Sequence, residues 1–138
     1  MANLMTSMQK SILDWMLGTT FGTTAPTRPA AQYCGLALTA PTSAASNEVA
    51  TGSGYTRQLA SFGAAVTTTG NVGSASNAVA MTFGPFSSSA VISGLFLADT
   101  VSSNAGTGLM FGNLSTVRTP LAGDSLVLAI GALSVTIS

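Results

Sequence analysis

Histidine does not occur in this chain of 138 residues, and charge of either sign is scarce. Lys10, Arg28, Arg57 and Arg118 stand against Asp14, Glu48, Asp99 and Asp124. Without histidine the commonest general base and metal ligand is gone, and with it every Ser-His-Asp or Cys-His arrangement. Four scattered basic residues cannot form the cluster that phosphate neutralisation needs, so nucleic acid is not an expected partner. The same count argues against a polybasic membrane-surface mode. No run of about 18 apolar residues occurs, so no membrane-spanning helix is expected. The single cysteine, Cys34, rules out an internal disulfide framework. It lies in an alternating apolar stretch with no basic neighbour, which is the setting of a small buried hydrophobe and not of a reactive thiol.

The remaining candidates for chemistry are equally thin. The acids are spread along the chain, so a carboxylate pair for glycoside hydrolysis or a cation site would have to be assembled by folding. Asp99 and Asp124 stand at strand–loop boundaries, where carboxylates usually bind turn backbone. ATGSGYTR carries Gly52 and Gly54 but neither the helix nor the lysine of a phosphate loop. No catalytic residue, metal ligand or cofactor is expected. Arg57 and Arg118 are suited to pair with Glu48, Asp99 or Asp124, and such pairs fix register more than they add stability.

What the chain does have is apolar content. Charged residues make up 6% against 46% hydrophobic ones, with a net charge of zero. An ordinary soluble domain carries about 25% charged residues. A free monomer with this composition lacks the charge that keeps proteins apart, and exposed apolar area marks interfaces. A surface largely hidden in an assembly is therefore expected, with homo-oligomerisation as a dimer or trimer.

Residues 3–17 place Leu4, Met8, Ile12, Trp15 and Met16 at the spacing of one apolar helical face. Asn3 is suited to the N-cap and Gly18 to the position after the helix. This stripe is the expected partner interface. Residues 17–30, rich in Gly, Thr and Pro, follow as an extended linker, so residues 1–30 form a helix and arm. Residues 31–138 form a β-domain. Its expected strands are 32–39, 55–62 with an extension over 63–69, 77–83, 91–99, 109–114, 125–131 and 132–138. The nearly continuous apolar run 91–99 is the best central strand. GNVGSAS is read as turn material, and 41–54 as a long polar loop. Seven or eight short strands with turn signals between them predict an all-β fold, an antiparallel β-sandwich or jelly-roll-like domain.

The order of motifs adds a resemblance. An amphipathic helix leads through LGTTFGTTAPTRPA to YCGLALTAPT at 33–42. NEVATGSGYTRQLASF at 47–62 carries a G-x-G-Y-x-R strand. ISGLFLAD at 92–99 and LMFGNLSTVRTPLAGDSLVLAIGALSVTIS at 109–138 follow. Together these resemble a family of small virion structural proteins of tailed phages, labelled tail-fibre or virion proteins, some similar to head-fibre or capsid decoration proteins. The most specific part runs from the aromatic-Gly pair through Ala-Gly-Asp to Gly-Ala-Leu. Cys34 and Gly35 depart from the family's more frequent Val-Ala, and Leu126 and Leu128 from its aromatics.

The resemblance implies no catalytic residues. It implies a phage particle component whose partners are the major capsid protein or other virion proteins, made in the host bacterial cytoplasm. Residues 1–17 lack the basic start and unbroken apolar block of a signal peptide, which agrees. The foremost expectation is a capsid decoration (cement) protein that stabilises the head. The alternative is a tail fibre, baseplate or adaptor component. A carbohydrate-binding β-sandwich is the remote third, with only Tyr33 and Tyr55 available for stacking on sugar.

Overall fold

The computed structural model describes residues 3–17, 29–68 and 72–137. The expected linker falls mainly on 18–28, outside the described residues. Among the described residues the chain is mostly β, with three antiparallel sheets. The strands are β1 (Asn3–Leu4), β2 (Tyr33–Ala37), β3 (Gln58–Leu59), β4 (Val66–Thr68), β5 (Val72–Ser76), β6 (Met81–Phe83), β7 (Ile92–Ala98), β8 (Gly108–Arg118), β9 (Leu126–Leu128) and β10 (Ser134–Ile137). A helix, α1, spans Thr6–Leu17. It begins later than the expected 3–17, because the first two described residues pair instead with β8, Asn3 opposite Phe111 and Leu4 opposite Met110.

The largest sheet has the order β1-β8-β7-β2-β3, and a three-stranded sheet β10-β5-β4 and a two-stranded sheet β6-β9 accompany it. The run 91–99 supplies β7 in the middle of the five strands, as its apolar character requires of a strand covered on both faces. Leu95 and Leu97 face the main core cluster, while Phe96 and Ala98 face a second cluster with Met5. Ile92 breaks the alternation and joins the main cluster. The register against β8 shifts between Ile92 and Gly94, and the extra residues re-phase the side chains.

The main cluster unites Cys34 and Leu36 of β2, Val49, Tyr55, Met81 and Phe83 of β6, Phe86 and Leu109. Half-buried Leu126, Leu128, Leu133 and Val135 pack on it from the smaller sheets. All three sheets therefore cover one core. Fully burying a Leu, Ile or Phe contributes about 1.5–3 kcal/mol, so this cluster dominates stability.

Several expected strands are corrected. Among the described residues ten strands form where seven or eight were expected. GNVGSAS is not a turn: it contains β5, the middle strand of its sheet. Its Gly, Ser and Ala residues show no apolar alternation, and pairing on both sides holds it. The 55–62 strand shrinks to β3, and Leu59, which strict alternation would set on one face with Tyr55 and Arg57, is exposed. Val79 is exposed as well, because β6 begins only at Met81. The 125–131 strand ends at Leu128, and Gly131, at φ 77°, turns the chain into β10. Asn77, buried at the end of β5, fastens this turn. Its amide donates to the carbonyls of Val79 and Ala129, each at 2.9 Å, and its oxygen accepts the Leu133 N–H at 2.8 Å.

Candidate functional site

The residues of the expected contact stripe do not share one environment. Leu4 sits half-buried in β1, and Met8 is half-buried against the main core. Ile12 is also half-buried, Met16 is 70% exposed, and the Trp15 side chain lies outside the described residues. The start of α1 is fastened to its own domain. Met5 is buried against Gly108, and its N–H donates to the Leu109 carbonyl at 3.0 Å. Thr6 donates from both N–H and Oγ1 to the Ser43 carbonyl. The far end differs, since Leu13 and Leu17 join Met16 as exposed apolar residues.

Polar chemistry concentrates at one buried network, built by the G-x-G-Y-x-R segment. Gly54, at φ 76°, directs the chain so that Tyr55 and Arg57 point inward. Glu48 comes from the loop after β2. Its side chain is fully buried and that of Arg57 is 3% exposed. Glu48 Oε1 accepts from Arg57 Nε at 2.8 Å and from the Tyr55 hydroxyl at 2.9 Å. Oε2 accepts from Arg57 Nη2 and from the Asn104 N–H, both at 2.8 Å. Arg57 Nη1 donates to the carbonyls of Thr100 and Ala105. The guanidinium lies 5.1 Å from the Phe96 ring centre, where the ring's negative face attracts it. Tyr55 OH in turn accepts the Leu36 N–H at 3.0 Å.

The protonation states follow from these partners. Burial pushes the Glu48 carboxyl up, but the bonds from Arg57, the Asn104 N–H and Tyr55 together outweigh it and hold the carboxyl below its ordinary range. Burial also opposes the Arg57 charge, and Glu48 restores it beyond its usual value. Tyr55 is raised, chiefly by burial. The pair is closed to solvent, and its role is to tie the loop after β2 to the loop between β7 and β8.

The other functional candidates resolve in the same way. Asp99 Oδ1 accepts the Thr107 N–H at 2.7 Å, and Asp124 Oδ2 accepts the Leu121 N–H at 2.9 Å, so both acids hold turns. Cys34 is buried, and burial pushes its thiol up to about 12, which removes it as a nucleophile at neutral pH. Among the described residues no group of three or more His, Cys, Asp or Glu side chains could hold a metal ion. Tyr55 is fully buried and unavailable for stacking on a sugar. Among the described residues no helix is long and apolar enough to cross a membrane.

The outer surface is the reverse of a usual one. Beyond residue 28, with Glu48 and Arg57 inside, Arg118 and Asp124 are the exposed charged side chains among the described residues. Meanwhile Leu59, Val66, Val91, Val117, Leu121 and Ile130 are each more than half or about half exposed. Sequence reasoning weighed Arg57 with Glu48 but could not see the Asn104, Thr100 and Ala105 contacts. These come from a loop more than 40 residues away.

No curated protein matches the chain. A family model described as podophage GP4 fiber I protein gp80 matches residues 3–136. The match takes in the G-x-G-Y-x-R segment, the central strand and the C-terminal region as far as residue 136. The chain thus belongs to the podophage fibre I protein family, a family of small phage virion structural proteins.

Proposed function

We propose that this chain is a non-enzymatic subunit of the phage particle that works by packing against copies of itself and neighbouring virion proteins, as a fibre or adaptor component. The observation that carries this reading is where charge and apolar area lie. The best-formed ion pair is sealed inside the domain, while Val and Leu side chains stand outside it. Apolar area left in water is unfavourable by about 25 cal/mol per Å². The same area becomes favourable when a neighbour covers it. The packing of the five-stranded sheet against the two smaller ones gives a sandwich-type body whose edges and rim can be shared between subunits. The exposed Leu13, Met16 and Leu17 at the end of α1 suit a second contact with a neighbouring virion protein. Folding in the host cytoplasm suits a chain whose lone thiol is buried and unpaired.

A capsid decoration role is the second reading. An arm anchored at its start and apolar at its end suits a grip on a capsid lattice. Quantitative mass analysis of purified virions separates the two. A low copy number supports the fibre or adaptor component. A copy number in simple ratio to the major capsid protein supports decoration. Absence of the chain from virions would overturn both.

A further inference from the structure

Residues 100–106, between β7 and β8, form a loop without apolar anchorage. Val101 is 52% exposed, and no residue of the loop belongs to either core cluster. The base of the loop is closed, since the Asp99 N–H donates to the Thr107 carbonyl at 3.2 Å and the Thr107 N–H to Asp99 Oδ1 at 2.7 Å. Among the described residues, the bonds that fasten the rest of it run to the buried pair. The carbonyls of Thr100 and Ala105 accept from Arg57 Nη1 at 2.8 and 3.1 Å, and the Asn104 N–H donates to Glu48 Oε2 at 2.8 Å. Asn104, Ala105 and Gly106 form one wall of a cavity of about 720 Å³ that Met5, Phe96 and Ala98 also line.

A carboxylate offers about four lone-pair sites. Glu48 fills them with donors: Arg57 Nε and the Tyr55 hydroxyl on Oε1, Arg57 Nη2 and the Asn104 N–H on Oε2. A proton added to Glu48 therefore finds no free lone pair and must displace a donor. Both Arg57 bonds come from one planar guanidinium, which also lies against Phe96. Tyr55 is fully buried in the core, with its oxygen on the Leu36 N–H. The Asn104 N–H belongs to an exposed residue of the loop, so it yields first.

We propose that loop 100–106 is a latch that opens when Glu48 takes up a proton, while the Glu48–Arg57 contact and the sheets stay in place. Opening removes one wall of the cavity and bares Phe96 and Ala98. Among the described residues, the other titratable groups that act on the pair are Tyr55 and Asp99. β2 presents Ala37 beside Glu48 and the arm presents Met5 to the cavity, and neither carries charge. The bonded donors hold Glu48 below its ordinary 4.5, so the latch is shut at neutral pH and opens as pH falls through the lower folded value. The latch is built into the chain whatever its place in the particle.

Hydrogen exchange of the purified full chain, read by NMR and corrected for the intrinsic effect of pH, tests it. At neutral pH the Asn104 amide and the Arg57 Nε–H are both expected to be protected. As pH falls below 4.5, protection at Asn104 is expected to drop by roughly tenfold to a hundredfold, the worth of one hydrogen bond to a charged group. The Arg57 Nε–H and the amides of β7 keep theirs. Glu48→Gln sets an N–H among the donors that the carboxylate accepted, and is expected to open the loop at neutral pH. Should circular dichroism show that variant unfolded, the acid titration of the unaltered chain decides the matter alone. Protection at Asn104 lost only together with the β7 amides, or together with the Arg57 Nε–H, would overturn the proposal. So would a folded Glu48→Gln variant that keeps Asn104 protected. A chain missing from virions would overturn the proposed function and leave this latch standing.

Discussion

Phe96 lies across Gly35 so closely that a methyl group on Gly35 would come within 2.2 Å of the ring's Cζ. The glycine on β2 makes room for an aromatic side chain on its neighbour, β7. The same ring receives the Arg57 guanidinium. Three residues distant in sequence thus depend on one missing side chain.

Gly35→Ala is expected to destabilise the domain by about 1–3 kcal/mol through overpacking. Alanine's usual advantage over glycine inside a strand, about 0.5–1 kcal/mol, is too small to offset this. Thermal unfolding of the variant reads it, and an unchanged midpoint would show that the ring moves aside freely.

Removing one partner of the buried pair should be far worse than altering a surface charge. Arg57→Met leaves Glu48 charged and enclosed, and a loss of about 3–5 kcal/mol is expected from denaturant unfolding. Adding Glu48→Gln to it should recover part of that loss, since the stranded charge is gone. If the double variant equals the sum of the two single ones, the residues are not coupled as the geometry requires. Hydrogen exchange at the Asn104 amide should rise in Arg57→Met, because that N–H binds the carboxylate Arg57 orients.

Stability should form a plateau bounded at both ends of the pH scale. Glu48 has a depressed folded value, so its contribution is in force above the ordinary 4.5 and is lost as pH falls through the lower folded value. Cys34 is shifted the other way. Its contribution is in force below 9.0 and is lost as pH rises toward about 12. Melting temperature against pH should therefore fall at both extremes, and Glu48→Gln should flatten the acid side alone. Over the plateau a thiol reagent should label Cys34 only after unfolding, and fast labelling of the folded chain would contradict its burial.

Elements carried by apolar pattern were legible in the sequence, and those carried by backbone pairing were not. The run 91–99 announces a central strand because a strand covered on both faces needs no polar side. Cys34 and Leu36 announce their inward face by alternation. Asp99 and Asp124 announce turns. β5 gives no such signal, since a strand of Gly, Ser and Ala is held by its neighbours β10 and β4. Exposed Leu59 and Val79 misled because alternation only predicts a face while the strand continues, and both lie at or beyond strand ends. Of the contact stripe, Leu4 fits the helical spacing, but periodicity carries no sign that β8 offers it an edge.

The sealed Glu48–Arg57 pair also determines what the β-domain shows to its surroundings. With those charges turned inward, the outer skin is mainly hydroxyl, amide and methyl groups, which neither take up nor release protons between acid and alkali. Methyl-to-methyl adhesion does not weaken in brine as charge contacts do. A contact made through such a skin is expected to hold equally in dilute and concentrated salt.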